Sequence, residues 1–287
     1  MIHSNEHVLL GLIGSPIKHS ASPAMHEAAA DAVGLRAHYQ LIDVPGADEA
    51  LLRTLLEGVR RLGFAGTNVT FPYKQAVVPL LDDLSDGARA VGAVNTVVVQ
   101  DGRLIGHNTD ASGFARALRR IFGETQPGPF ALIGAGGVGR AIAVALAEVS
   151  SGEIRLVDTD GAKVESLATS LGANANIRHC ATVEEAMAGA KGVINGTPVG
   201  MLPDRGTPVP FDLLRPDCWV ADAVYSPLWT PLLEAAKRIG APVMTGRELA
   251  IDQALDAFAL FTGRQAPNHA MEAAFDEVMA NREAKAA

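Results

Sequence analysis

Residues 130–139 read Phe-Ala-Leu-Ile-Gly-Ala-Gly-Gly-Val-Gly, and residues 140–147 continue as Arg-Ala-Ile-Ala-Val-Ala-Leu-Ala. The pattern predicts a buried strand, a glycine turn with the spacing G-x-G-x-x-G, and a helix. Gly134 permits a tight turn, Gly136 keeps a side chain away from a pyrophosphate, and Gly139 lets the helix pack closely on the strand. The helix N-terminus offers N–H groups to phosphates. We therefore predict a dinucleotide site formed by Gly134, Ala135, Gly136, Gly137, Val138 and Gly139.

The next strand-like run ends in Asp158, 19 residues beyond Gly139. A carboxylate there accepts hydrogen bonds from the adenosine ribose hydroxyls and repels a 2′-phosphate. The neighbouring residues include no arginine; Asp160 adds negative charge, although Lys163 one turn later weakens the field. These charges favour NAD as the cofactor and leave NADP as a second option.

Apolar runs of strand length alternate with helix-period segments on both sides of this motif, which predicts mostly parallel sheets covered by helices. The strand-like runs of the first half are Val8–Gly14, His38–Val44, Phe64–Thr70 and Ala93–Gln100. The helical segments between them are Pro23–Val33, Asp48–Leu62 and Lys74–Val91. Asp101-Gly102-Arg103 predicts a tight turn, and with it one antiparallel hairpin.

Composition limits the classes of function. Of the 287 residues, 48% are hydrophobic and 20% charged, which is typical of a globular protein, and the net charge of −8 is unaccompanied by a basic cluster. We therefore expect no nucleic-acid partner. Cys180 and Cys218 are far apart, so we expect neither a disulfide nor a metal site. The N-terminus shows no secretory signal, and we expect a cytoplasmic protein without a membrane partner.

Polar residues gather at the expected ends of the first-half strands. Pro72 within Asn68-Val-Thr70-Phe-Pro72-Tyr-Lys74 forces a turn, so Thr70 and Lys74 should flank the carboxyl end of the sheet. Three further polar motifs are Gly14-Ser-Pro16-Ile-Lys-His-Ser20-Ala-Ser22-Pro23, Gly92-Ala-Val-Asn95-Thr96 and Gly106-His-Asn-Thr109-Asp110.

This ordered set of motifs resembles the shikimate dehydrogenase family. The likeness continues through the glycine turn into Asn195-Gly-Thr197-Pro198-x-Gly200-Met201, Asp222-x-x-Tyr225, and Gly246 followed seven residues later by Gln253. It therefore covers nearly the whole chain.

The resemblance implies a role for each matching residue. Lys74 would transfer a proton while hydride passes between a secondary alcohol carbon and nicotinamide, and Asp110 would orient Lys74 and bind a substrate hydroxyl. Ser20 and Ser22 would bind the substrate carboxylate. The remaining substrate-binding residues would be Asn68, Thr70, Asn95, Tyr225 and Gln253. The remaining cofactor-binding residues would be Thr197 and Gly246.

Two departures from the family pattern bear on specificity. Val157-Asp158-Thr159 replaces the Asn-Arg-Thr of many NADP-using members and resembles the NAD-using quinate/shikimate branch. The pair Ser20 and Ser22 follows the shikimate-type pattern. A threonine at the second of these positions would instead suggest easier acceptance of quinate. Leu249 stands where a methionine is common near the nicotinamide, which is a mild change.

The predicted function is reversible NAD(P)-dependent oxidation of shikimate, with quinate as a further substrate. The alternatives are a dehydrogenase for aminoshikimate or another polyol carboxylate, a folate dehydrogenase, and a nucleotide sensor without turnover. The expected partner is the small-molecule substrate, and a monomer or a homodimer fits the sequence.

The predicted architecture is an N-terminal α/β substrate domain and a C-terminal Rossmann domain, with a cleft between them. Residues 1–111 would form the substrate domain and residues 112–247 the Rossmann domain. Residues 248–287 would return to the substrate domain and bring Gln253 to the substrate.

Overall fold

The computed structural model describes residues 7–124, 127–172 and 175–286, which fold as two compact units. The first unit extends to Thr109 and resumes at Gln253, and the second runs from Asp110 to Asp252. No helix within the described ranges combines the length and the apolar character that crossing a bilayer requires.

The first unit is built on a mixed sheet. Its strands are β1 (His7–Gly14), β2 (Arg36–Asp43), β3 (Phe64–Val69), β4 (Asp83–Leu84), β5 (Thr96–Gln100) and β6 (Arg103–His107). Its helices in this part of the chain are α1 (Ser22–Ala32), α2 (Glu49–Arg61) and α3 (Asp86–Val91). The described strands have the order β2-β1-β3-β5-β6-β4, in which β1 pairs in parallel with β2 and β3, and β5 runs antiparallel to β3 and β6.

The predicted hairpin is confirmed between β5 and β6. Asp101 and Gly102 both adopt left-handed backbone angles, with φ of 51° and 73°. Such angles suit a two-residue turn between twisted strands. The register then pairs Thr96 with His107 at the far end of the ladder, so the polar segments next to these two residues lie side by side.

The predicted helix over residues 74–91 is wrong. Residues 74–77 form turns, Val78–Leu80 forms a 3₁₀ turn, β4 pairs with β6, and only α3 is helical. Pro79 lacks an N–H and obstructs an α-helix through this stretch. Ser85 then starts α3 as its N-cap, because its hydroxyl accepts a hydrogen bond from the Ala88 N–H at 3.2 Å.

The second unit contains a parallel sheet with helices on its faces. Its strands are β7 (Phe130–Ile133), β8 (Ile154–Val157), β9 (Ile177–His179), β10 (Gly192–Asn195), β11 (Trp219–Asp222) and β12 (Val243–Met244). Its helices include α4 (Thr109–Phe122), whose first residue belongs to the first unit, α5 (Gly137–Val149), α6 (Gly161–Leu171), α7 (Val183–Met187) and α8 (Pro231–Arg238).

The strand order explains where a ligand would bind in this unit. All pairs in β12-β11-β10-β7-β8-β9 are parallel, and β7 and β10 meet where the order reverses. Ligands of such sheets bind at the carboxyl ends of the strands at this switch point. Phe130 and Leu132 pack into the core on one face of β7, and Ala131 and Ile133 pack into the core on the other. The predicted combination of two α/β units, one of them Rossmann-like, is confirmed.

Two C-terminal helices complete the chain, α9 (Gly246–Thr262) and α10 (Asn268–Ala286). Helix α9 begins in the second unit, where Leu249 joins the core, and its residues from Gln253 onward belong to the first. Phe261 of α9 packs against Gly66 of β3 so closely that a Cβ on Gly66 would lie 2.5 Å from the ring. The same Cβ would lie 2.4 Å from the Val97 carbonyl oxygen.

We predict that Gly66→Ala lowers the free energy of unfolding by about 1–3 kcal/mol or more, because backbone on one side and a buried ring on the other leave no room for a methyl group. Gly87→Ala is the matched control, since a Cβ on Gly87 would meet no atom within 4 Å. The control should be neutral or stabilising by up to about 1 kcal/mol. Urea unfolding of the two variants checks this, and equal stability of both would contradict the close packing of α9 on β3.

Candidate active site

The glycine turn after β7 is shaped by contacts that exclude side chains. Gly134 has φ of 104°, and a Cβ on Gly139 would lie 2.0 Å from the Gly134 carbonyl oxygen. Gly136 is the N-cap of α5, and a Cβ there would meet no atom within 4 Å. The first two glycine positions of a nucleotide fingerprint have these properties, because one makes the turn and the other leaves open space in front of the helix N-terminus. The residues of this turn therefore fit a dinucleotide diphosphate.

Asp158 follows β8 and contacts the glycine turn directly. One carboxylate oxygen accepts a hydrogen bond from the Ala135 N–H at 2.6 Å, and the other accepts one from the Asp160 N–H at 2.8 Å. Each carboxylate oxygen can accept a second hydrogen bond, so Asp158 can still receive ribose hydroxyls. Lys163 lies 3.7 Å from the Asp160 carboxylate, and its charge is therefore directed to that residue.

The loop after β10 borders the same turn. A Cβ on Gly134 would lie 2.8 Å from Thr197 Cγ2, which places the Thr197 side chain against the turn. Thr197 is held by Asn195, whose amide oxygen accepts hydrogen bonds from the Thr197 N–H at 2.9 Å and from its hydroxyl at 2.7 Å.

Gly246 begins α9 after β12 and lies against the segment that follows the neighbouring strand β11. A Cβ at this position would lie 2.4 Å from the Val224 carbonyl oxygen, so only glycine permits the approach. Gly246 thereby packs the start of α9 on the segment that leads to Tyr225. The half-buried Tyr225 belongs to this second unit.

Asp222 at the end of β11 has a buried carboxylate, and only 1% of the residue's surface is exposed. It accepts hydrogen bonds from the Asn195 side-chain amide at 2.9 Å, the Val224 N–H at 2.9 Å and the Thr230 hydroxyl at 2.7 Å. Burial raises the pKa of Asp222 to about 7, although these three hydrogen bonds act in the opposite direction.

The two predicted serines lie together at the start of α1 in the first unit. The Ser20 hydroxyl donates to the Ser22 hydroxyl at 3.0 Å, and the Ser22 N–H donates to Ser20 Oγ at 3.2 Å. Thr70, directly after β3, lies against the start of the loop that leads to these serines, since a Cβ on Gly14 would lie 2.3 Å from Thr70 Cγ2. Ser20, Ser22 and Thr70 are each half-buried, so their hydroxyls can reach a small ligand.

The two predicted asparagines of the first unit lie in a buried hydrogen-bond network. Asn68 donates to the Asn95 carbonyl oxygen at 3.1 Å and to Thr96 Oγ1 at 3.0 Å, and it accepts from the Tyr39 hydroxyl at 2.8 Å. Thr109 donates its N–H to Asn95 Oδ1 at 2.8 Å. The ends of β3, β5 and β6 are thus joined by side-chain amides.

Gln253 joins this network from α9. Its amide oxygen lies 3.4 Å from Asn95 Nδ2 and 3.5 Å from Thr109 Oγ1, at the long end of hydrogen-bonding distance. The structure therefore brings together Asn68, Asn95 and Gln253, which lie far apart in the sequence.

Lys74 is joined to this network by a backbone hydrogen bond, and Asp110 follows Thr109 in the chain. The Lys74 carbonyl oxygen accepts a hydrogen bond from the Val94 N–H at 2.8 Å, which ties Lys74 to the residue before Asn95. The Lys74 side chain is half-buried. Asp110 is 5% exposed in the first turn of α4, directly after Thr109, and it opens the second unit.

Comparison with known proteins supplies the family. The model of the shikimate dehydrogenase substrate binding domain matches residues 12–97. The quinate/shikimate dehydrogenase (NAD(+)) of Corynebacterium efficiens is 43% identical over 282 residues, covering 95% of this chain and 99% of the relative.

The chain belongs to the shikimate dehydrogenase family.

Solved structures of the family agree over almost the full length. The quinate dehydrogenase of Corynebacterium glutamicum in complex with NAD has a TM-score of 0.86 and 40% identity, covering 95% of this chain and 100% of that one. The shikimate 5-dehydrogenase of Thermus thermophilus in complex with NADP(H) and shikimate has a TM-score of 0.84 and 36% identity, covering 94% and 99%. The predicted family resemblance is confirmed, and with it the predicted class of activity, an NAD(P)-dependent oxidoreductase.

Several residues that shape this shikimate dehydrogenase site received no role from the sequence. Tyr39 on β2 orients Asn68 on β3 across the intervening strand β1, and no motif marked it. Asn195 and Asp222 stood within quoted motifs, but their sequence positions do not reveal that the two side chains meet. Thr96 and Thr109 also stood within quoted motifs without an assigned role, and Thr230 stood in no quoted motif.

We predict that Asp222→Asn changes the pH dependence of stability. The native pKa of about 7 exceeds the ordinary value of 3.8, so the folded protein binds this proton more tightly than the unfolded chain. The free energy of unfolding of the parent then falls as pH rises from about 4 to about 7, and the loss persists above pH 7. Between pH 5 and pH 8 the stability of Asp222→Asn relative to the parent should rise by on the order of 2–3 kcal/mol.

Urea unfolding of both proteins at several pH values measures this difference. Parallel pH profiles for Asp222→Asn and the parent would show that the carboxyl group titrates alike in the folded and unfolded states.

Proposed function

We propose that this protein is a shikimate/quinate dehydrogenase that oxidises the secondary alcohol of a ring-hydroxylated carboxylate and uses NAD in preference to NADP. The single observation that carries the proposal is the first-unit cluster of Asn68, Asn95, Thr109 and Gln253 beside Lys74. Such a concentration of amides and hydroxyls suits a small polyol. The family relatives include enzymes named for shikimate and for quinate, which supports the substrate class.

The first unit would bind the substrate and the second the nucleotide. Support comes from the family model for the substrate binding domain, which matches residues 12–97 of the first unit. Ser20 and Ser22 would donate their hydroxyls to the substrate carboxylate. Asn68, Thr70, Asn95, Tyr225 and Gln253 would contact or orient the groups that meet the ring hydroxyls.

The chemistry divides into a hydride and a proton. When bound, the nicotinamide accepts the hydride from the alcohol carbon during oxidation and returns it during reduction. Lys74 would take the hydroxyl proton at Nζ as the ketone forms, so it must be the neutral amine in that direction. In reduction its ammonium would return the proton to the carbonyl oxygen. Asp110 would orient Lys74 and accept a hydrogen bond from a substrate hydroxyl.

The preference for NAD rests on charge after β8. The Asp158 carboxylate would receive the ribose hydroxyls and repel a 2′-phosphate, while Lys163, the cation one turn later, lies 3.7 Å from the Asp160 carboxylate. Gly134, Ala135, Gly136, Gly137, Val138 and Gly139 would hold the diphosphate, with Thr197 and Gly246 shaping the nicotinamide side. A cytoplasmic location would suit such an enzyme, because NAD(P) is present in the cytoplasm. Free thiols such as those of Cys180 and Cys218 also stay reduced there.

Initial rates with shikimate and quinate, each with NAD and with NADP, test the proposal. We expect turnover of at least one acid and a kcat/KM at least about tenfold higher with NAD, since Asp158 disfavours the 2′-phosphate. A preference for NADP would contradict the role of Asp158. Turnover of aminoshikimate but of neither acid would contradict the proposed substrate.

Lys74→Ala tests the proton transfer. We expect kcat to fall by about 10²–10⁴, because a positioned acid/base group contributes a factor of that size, while NADH binding changes less than about twofold. Lys191→Ala is the matched control, since this exposed lysine belongs to the second unit and pairs there with Asp217 at 3.8 Å. Equal kcat in Lys74→Ala and Lys191→Ala would remove Lys74 from the mechanism.

A further inference from the structure

In the second unit, hydrogen bonds lead from Asp222 through Asn195 to Thr197, whose methyl group lies against the glycine turn. Asp222 accepts from Asn195 Nδ2 at 2.9 Å, and Asn195 Oδ1 accepts from the Thr197 N–H at 2.9 Å and its hydroxyl at 2.7 Å. Thr197 Oγ1 in turn accepts from the Val199 N–H at 3.1 Å, and Asn195 Nδ2 also donates to the Val199 carbonyl oxygen at 3.0 Å. Asn195 is fully buried and Asp222 nearly so.

The direction of each hydrogen bond in this chain is determined. The Thr197 N–H can only donate, so the Asn195 amide must turn its oxygen toward Thr197 and its nitrogen toward Val199 and Asp222. An acceptor is therefore required at position 222. A side chain there that cannot accept would leave one Asn195 hydrogen without its partner in a site that water does not reach.

Asp222 also accepts from the Val224 N–H at 2.9 Å, which fixes the start of the segment leading to Tyr225. The carboxylate thus anchors the ends of two neighbouring strands, β10 and β11. Thr230 completes the site from the N-cap of α8, where its hydroxyl donates to the second oxygen of Asp222 at 2.7 Å.

Within the part of the chain that the structure describes, no cation pairs with the buried Asp222 carboxylate. The hydrogen bonds to Asp222 come from two side chains and one backbone N–H, all neutral groups. A buried charge that lacks an ionic partner lowers stability, so its presence next to a ligand loop indicates a functional role.

We propose that Asp222 is a positioning residue for the nicotinamide nucleotide: through Asn195 it holds Thr197 against the glycine turn. A displaced Thr197 would disturb the nucleotide site, because the Thr197 side chain packs directly on the glycine turn. A Cβ on Gly134 would lie 2.8 Å from Thr197 Cγ2. Asp222 contacts no reacting atom in this role. The inference rests on the nucleotide-binding part of the proposed function and adds a residue to it.

The test is the Kd for NADH, measured by NADH fluorescence on the folded protein without substrate. Asp222→Ala should raise this Kd at least tenfold, because Asn195 and the Val224 N–H both lose their acceptor. Asp222→Asn should stay within threefold of the parent. Its amide oxygen can still accept from Asn195 and Val224, and its amide nitrogen can donate to the Thr230 hydroxyl.

Asp252→Asn is the matched control for the loss of a buried carboxylate. Asp252 is fully buried in the same unit, but it pairs with Arg120 at 2.9 Å and Arg116 at 3.3 Å rather than with the Thr197 loop. This variant should lower the melting temperature and leave the Kd for NADH within twofold. If the role of Asp222 were purely structural, Asp222→Ala would likewise lower the melting temperature and leave the Kd for NADH within twofold.

If Asp222→Ala does not fold, Asn195→Ser breaks the next link and should raise the Kd for NADH by a similar factor. An unchanged Kd in the folded Ala or Ser variant overturns the proposal, as does an Asp222→Asn variant that binds as weakly as Asp222→Ala. Kinetics give a second measurement: KM for NAD should rise more than kcat falls.

Failure of the proposed function is distinguishable. A parent protein that binds NADH but oxidises none of the tested acids contradicts the substrate assignment, and the binding measurements on Asp222 stand. A parent that binds neither NADH nor NADPH contradicts both proposals.

Discussion

The nucleotide half of this protein depends on one backbone contact, the approach of Gly139 to the carbonyl oxygen of Gly134. A methyl group at Gly139 would come within 2.0 Å of that oxygen, and a methyl group at Gly196 would lie 3.0 Å from Gly139 Cα. Because Gly134 after β7, Gly139 in α5 and Gly196 after β10 meet there, α5 can begin directly above the carboxyl end of β7. The open side of Gly136 then faces whatever the helix N-terminus binds. Asp158 and Thr197 both contact this turn, Asp158 through the Ala135 N–H and Thr197 through its methyl group beside Gly134.

Two different solutions hold polar groups in place in the two units. In the first unit, neutral amides and hydroxyls hydrogen-bond to one another around Asn95. In the second, the Asp222 carboxylate accepts hydrogen bonds from Asn195, Val224 and Thr230, and its burial raises its pKa. A neutral network is inexpensive to bury but needs complementary partners from several strands, whereas one carboxylate can accept from three donors at once.

Local chemistry explains which elements were predictable. Helix α2 has apolar residues on one face, and its N-cap Asp48 accepts a hydrogen bond from the Leu51 N–H at 2.8 Å. Both the periodicity and the start of α2 therefore depend on residues that are close together in the sequence. The helix predicted over residues 74–91 was wrong because β4, only two residues long, exists through its pairing with β6. Strand β9 was not predicted for the same reason: three residues at a sheet edge carry little periodic signal.

The sequence by itself determined the alternation of strands and helices, the glycine turn, the acidic residue after β8 and the family, because each is a local pattern. Only the tertiary structure decided that Gln253 meets Asn95, that Tyr39 orients Asn68, and that Asp222 reaches Thr197 through Asn195. Those contacts join residues that lie 27 to 158 positions apart. The link to Thr197 passes through the Asn195 side chain, whose orientation depends on its hydrogen-bond partners. Hydrogen bonding depends on distance and direction in space, and a linear sequence records neither.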